Sequence, residues 1–226
     1  MTLRAAVLVG LVAVAPVHAQ SFDRVQAAPT SAVGLNPGPP GPFVIDLRGA
    51  MSGLPQASTF YAPFPIGTVV AQRGFGIDIG EHLYPFRFRS TRIGVGADLM
   101  QVRGTTSTIS PSTSSTTSST TSSTTSVTAF PDVAATARLL VSQLSMNFGT
   151  RDGWSYLSVG GDVGQLSSVG TGAVSVPRET HRMSGFNVGG GARWFLGDHL
   201  GVGFDVRVHR LSTATLVSGT AGITLR

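Results

Sequence analysis

In the segment Gly189–Arg210, apolar residues fall on every second position and charged or small residues stand between them. From Leu200 the even positions are Leu200, Val202, Phe204, Val206 and Val208, and the odd ones are Gly201, Gly203, Asp205, Arg207 and His209. A period of two belongs to a β-strand, whose successive side chains point to opposite faces. The chain is therefore expected to build a sheet with one apolar and one polar face. An antiparallel sheet on a soluble core shows the same alternation, so this hairpin alone does not say which face is buried.

The N-terminus bears on that choice. Arg4 is followed by the apolar run "AAVLVGLVAVAPV" and by Val17-His18-Ala19 before Gln20, which predicts a secretory signal peptide over residues 1–19. The run is short for a membrane-spanning helix and ends in a cleavage pattern. Residues 20–42, ending in "NPGPPGP", are rich in Pro, Gly and Ala without periodicity and read as a flexible leader. About 200 residues remain after cleavage, the size of one domain. There is no cysteine, so an exported chain must be stable without disulfides. All sixteen basic residues are arginines, dispersed rather than gathered, which argues against a nucleic-acid partner.

Eight strand-like segments follow: Phe43–Met51, Val69–Gly80, Thr91–Arg103, Leu139–Gly149, Ser155–Leu166, Met183–Leu196, His199–Leu211 and Leu216–Leu225. Each is about as long as a tilted strand that crosses a bilayer, and no helical period appears between them. Connections one, three and five are long: "SGLPQASTFYAPFPIG", the tract around residues 104–138, and "SSVGTGAVSVPRETHR". Connections two, four and six, through "EHLYPFRFRS", "TRDG" and "GDH", are shorter; the seventh, "STAT", is short where a long one was allowed. Alternating long and short connections are those of an outer-membrane barrel, with outer loops and periplasmic turns. Residues 104–128 of the third connection are so rich in Ser and Thr that a disordered outer loop is expected there.

Aromatic residues and charges sharpen the expectation. Phe43, Tyr84, Phe86, Phe88, Phe148, Trp154, Trp194 and Phe195 all fall near periplasmic strand ends, where an interfacial girdle would form. Parity places Asp46, Arg48, Asp78, Asp98, Asp162, Arg193, Asp205 and Arg207 on one face. If that face met water, the barrel would be a soluble, lipocalin-like binder with an apolar interior. A charged fraction of 12 % with many lone Val, Leu and Ile suits a soluble surface poorly, so the polar set is expected inside, paired. Arg73 shares parity with Phe75, Ile77 and Ile79; either a bulge near Gly74 resets the register or Arg73 snorkels toward outer-leaflet phosphates.

The signal peptide, the eight segments, the alternating loops and "GGGARWFLGDHLGVGFDVR" together resemble the small eight-stranded outer-membrane barrels of the OmpA/OmpX type. The resemblance spans residues 43–226 and implies an all-β, eight-stranded antiparallel up-and-down transmembrane β-barrel in the bacterial outer membrane, a monomer with both ends in the periplasm. Its implied partners are outer-membrane lipid and lipopolysaccharide, the barrel assembly machinery and a surface partner outside the cell. Family members commonly finish in an aromatic residue, whereas Arg226 stands last here.

Chemistry narrows the function classes. Eight strands enclose just enough room for side chains, which disfavours a diffusion channel, although Gly76, Gly94, Gly189, Gly191, Gly201 and Gly203 leave space for water or long arginines. A lipid-modifying enzyme would need a serine within reach of a histidine. His209 and Ser212 resemble the His-x-Ser pair of lipid A deacylases, but a spacing of three puts them on opposite faces of a strand. The five histidines are scattered and no glycine pair precedes a helix, so no catalytic residue, cofactor site or metal site is assigned. The expectation is a structural or surface-interaction, adhesion-like role through the outer loops.

Overall fold

The computed structural model describes residues 42–65, 68–88, 91–106, 132–171 and 176–226. The expected signal peptide, almost all of the leader and most of the Ser/Thr tract lie outside the described residues. Eight strands follow one another: β1 (Phe43–Gly53), β2 (Arg73–Phe88), β3 (Thr91–Thr105), β4 (Asp132–Thr150), β5 (Gly153–Thr171), β6 (Glu179–Phe195), β7 (Leu200–Leu211) and β8 (Thr215–Leu225). Each pairs antiparallel with the next, and β8 pairs with β1, so the sheet closes into an up-and-down barrel without free edges. The only helix among the described residues is one 3-10 turn, Ser58–Tyr61, between β1 and β2.

Closure separates the two faces as the alternation requires. Asp46, Arg48, Asp78, Asp98, Asp162, Arg193, Asp205 and Arg207 are all buried in the lumen. The outer face carries Leu47, Ile77, Leu99, Leu144, Leu157, Val188 and Val206, each about half exposed or more. On β7 this band runs from Leu200 to Val208 and ends at the exposed Arg210. Nine residues fit the 9–11 that a tilted strand spends in a bilayer.

The lumen is filled in three layers. At the end with the short turns, Val44, Tyr84, Trp154, Tyr156 and Phe195 pack together. Trp154 stacks on Phe195 with ring centroids 5.0 Å apart and meets Tyr84 edge-on at 5.9 Å. The charged residues form the middle layer. At the end with the long loops, Leu54, Phe60, Tyr61 and Phe64 fold back into the mouth against wall residues such as Val102, Val133, Leu139 and Leu216. The first long connection, read from the sequence as a long outer loop, thus folds back as an apolar plug.

Two other expectations are corrected and one alternative is decided. Phe86, Phe88, Phe148 and Trp194 face outward as a girdle requires and Phe43 is half-buried, but Tyr84, Trp154 and Phe195 point into the lumen and close it. Strand-end aromatics serve either purpose, and parity after Leu83 is altered by a bulge: Leu83 faces Val95 while Phe86 faces Ile93. Tyr84 and Pro85 thus oppose Gly94 alone. Pro85, which has no N–H to donate, is tolerated at such a break, and the shift turns Phe86 and Phe88 outward. Of the two alternatives for Arg73, the bulge near Gly74 is absent: the ladder runs unbroken from Arg73 to Leu83 against β1, and Arg73 is exposed at the rim of the apolar band. Finally, β2, β4, β5 and β6 are longer than their sequence patterns. β4 begins at Asp132 because Val133, Ala135 and Ala137 face the plug, a small-residue stretch whose alternation is faint.

Candidate functional site

Among the described residues the charged middle layer is the densest chemical feature. Arg48 of β1 approaches Asp78 at 2.9 Å and Asp98 at 3.2 Å. Arg207 of β7 donates to Asp98 at 2.6 Å and approaches Asp205 at 2.7 Å. Arg193 of β6 grips Asp46 through Nε and Nη2, and its guanidinium lies 4.4 Å over the Tyr156 ring. Tyr156 in turn donates its hydroxyl to Asp205 at 2.7 Å. Desolvated charges are tolerated only when paired and hydrogen-bonded, and these arginines each reach at least one carboxylate.

Gln143 fixes a tautomer in this network. Its Oε1 accepts from Arg207 at 3.1 Å, so its amide nitrogen is the atom facing Asp98 at 2.8 Å and His82 Nδ1 at 3.0 Å. An amide nitrogen can only donate. His82 Nδ1 therefore accepts, and the ring proton sits on Nε2, which faces Asp46 at 3.0 Å and Asp98 at 3.3 Å.

The inward glycines make this packing possible. A Cβ at Gly80 would run into the Asp98 carboxylate, and one at Gly189 into the Arg207 side chain. The space left by glycine is occupied by network side chains.

A second cluster lies nearer the loops. Asp162 of β5 accepts from Asn187 at 2.9 Å and contacts His209 Nδ1 at 3.0 Å, while His209 Nε2 meets Ser218 Oγ at 2.8 Å. Acid, histidine and serine stand in the order that activates a nucleophile. Ser218, however, is 3 % exposed, faces Arg207 and Ser52 across its ladders, and is followed toward the loops by Leu216, a wall residue packed against the plug. The relay is sealed between the charged layer and the plug.

His209 and Ser212 diverge as their spacing requires: the histidine is buried, and Ser212 is exposed in the turn after β7 with its N–H on the Ser184 carbonyl. His209 is a buried member of the network. Ser218 escaped sequence reasoning, because its one signal is inward parity on β8, shared with Thr220 and Thr224. Among the described residues, no group of three or more His, Cys, Asp or Glu is placed to hold a metal ion.

No known protein-family description matches the sequence, and no curated protein matches it. Among solved structures, Ail, the attachment invasion locus protein of Yersinia pestis, aligns over 81 % of this chain and 96 % of its own, with 11 % identity and a TM-score of 0.49. Ail in complex with the heparin analogue sucrose octasulfate gives the same coverage with 10 % identity and a TM-score of 0.49. Neisserial surface protein A aligns over 82 % of this chain and 97 % of its own, with 11 % identity and a TM-score of 0.44.

Proposed function

We propose that this chain is an integral barrel of the bacterial outer membrane whose role is structural or surface-interactive, exercised through its long loops. The single observation that carries this reading is the inverted polarity: eight charged side chains are buried inside while the outer face is a continuous apolar band. In water that band would far exceed the few hundred Å² of contiguous apolar surface that soluble monomers expose. In a bilayer it is the solvated face, and the ladders satisfy every spanning strand. Orientation follows from loop length, with the short turns and both strand termini in the periplasm. On this reading residues 1–19 are removed on export, residues 20–42 form a leader, and the Ser/Thr tract is an outer brush that meets a partner or shields the surface.

A soluble lipocalin-like binder would need an apolar, open interior, which a charged and doubly plugged lumen does not offer. Membrane fractionation combined with gel electrophoresis of unheated samples tests the proposal. The expected result is a membrane-bound chain whose mobility shifts on heating; recovery as a freely soluble periplasmic protein would overturn it.

One observation favours a lipid-modifying enzyme, namely the Asp162–His209–Ser218 relay. Its burial argues for a structural hydrogen-bond network instead. A fluorophosphonate probe should leave Ser218 of the folded barrel unlabelled, and labelling that disappears in Ser218→Ala and His209→Ala would establish the enzyme reading.

A further inference from the structure

The apolar band ends toward the loops in a rim of arginines. Arg73, Arg103, Arg138, Arg182 and Arg210 face outward and are exposed on five of the eight strands. Over β3–β6, Gln101, Arg138, Gln165 and Arg182 stand directly opposite one another on successive strands, one row beyond the apolar residues Leu99, Leu140 and Val163.

Above that row the lengthened ends of β4 and β5 and the start of β6 enclose a pocket of about 170 Å³ on the barrel exterior. Thr136, Arg138, Gln165, Ser167, Arg178 and Thr180 supply its polar lining. Every one of these side chains can donate a hydrogen bond. No carboxylate lines the pocket; Asp132, two residues beyond Ala134 on the same face of β4, is not among its walls. Ser167 and Thr180 are already held 3.1 Å apart by a mutual hydrogen bond. Among the described residues, Arg138, Arg178 and Arg182 enter no ion pair.

We propose that this pocket binds the phosphate groups of a glycolipid headgroup in the outer leaflet. Height selects the lipid as the source, because the pocket opens beside the apolar band at the level where headgroups begin. Charge and shape select phosphate, since planar guanidinium forks match its oxygens and hydroxyl donors complete the shell. The inference rests on the membrane reading above and adds to it the residues that hold the phosphates.

The test uses the full mature chain in phosphatidylcholine nanodiscs, with heat-dependent gel mobility reporting the barrel. Native mass spectrometry then compares retention of bisphosphorylated lipid A with that of the same lipid stripped of its phosphates. Wild type should retain the phosphorylated form on the order of tenfold better, as loss of charge-assisted bonds implies. Arg138→Gln with Arg178→Gln should abolish that preference, Arg138→Lys with Arg178→Lys should restore part of it, and Arg73→Gln with Arg103→Gln should leave it intact. Inorganic phosphate should not displace the lipid.

Equal loss in the Arg73/Arg103 variant would assign retention to the rim as a whole and overturn the pocket. Displacement by free phosphate, or Arg138-dependent binding of a soluble polysulfated sugar without lipid preference, would overturn the lipid as ligand. A barrel that forms but shows no preference sinks this inference alone, whereas a chain that never enters a bilayer sinks the membrane reading with it.

Discussion

Asp98 takes donors from Arg207 and Gln143, with Arg48 and His82 both within 3.3 Å, so its carboxylate is the hub of the charged layer. Removing one partner of a buried pair leaves an uncompensated charge and costs about 3 to 5 kcal/mol, against under about 1 kcal/mol for a solvated pair. Arg207→Ala and Asp205→Ala should therefore each lower the urea midpoint of the barrel in detergent, Arg207→Ala the more because it also takes a donor from Asp98. Unchanged midpoints in both would show that the lumen charges contribute nothing to stability. Parity alone separates the eight inward charges, because a period of two needs no knowledge of neighbouring strands. Which carboxylate meets which arginine was not legible: Arg193 reaches Asp46 across 147 positions, a match set by strand stagger and barrel closure. The relay of Asp162, His209 and Ser218 joins three strands and was hidden for the same reason.

At the scale of elements, the strands were legible wherever apolar and charged residues alternate strongly, as in β7, and blurred where both faces are small or hydroxylated, as in Asp132–Arg138. The plug was missed because its apolar residues follow no period; Leu54, Phe60, Tyr61 and Phe64 are spaced for an irregular loop. Tyr61 ties that loop together, donating its hydroxyl to the Pro55 carbonyl at 3.0 Å. Burial pushes its phenol up to about 12, above the ordinary value near 10. A raised folded value favours the neutral form. The contribution to stability is thus fully present below about pH 10 and is lost as pH climbs through about 12. The plug should open over that window, read as increased proteolytic cleavage between Gln56 and Pro65, while Tyr61→Phe should keep it closed across the same range. Cleavage with the same pH profile in both proteins would detach the plug from this hydroxyl.

For the molecule as a whole, the inverted polarity sets where stability resides. Ladder hydrogen bonds, the charged layer and the two apolar lids lie within the barrel, and the Ser/Thr tract leaves β3 and re-enters β4 on the loop side. A segment so poor in apolar residues offers no burial, and shortening a flexible loop changes its closure entropy only slightly. The alternation of long and short connections was legible, but β3 runs on through Thr105, inside the stretch read as disordered from residue 104. A deletion must therefore start beyond Thr106, whose hydroxyl and backbone N–H bond to Val69 and Val133. Removing residues 107–128 should leave heat-dependent mobility and the urea midpoint unchanged, and a fallen midpoint would show that the tract packs on the barrel. An epitope placed at Thr117 should be reached by antibody on intact cells; detection only after the outer membrane is opened would invert the topology. If the deletion abolishes attachment to a surface or partner while the barrel persists, the tract is the interacting element. If attachment is unchanged, the tract is a shield, and interaction passes to the arginine rim and the remaining loops.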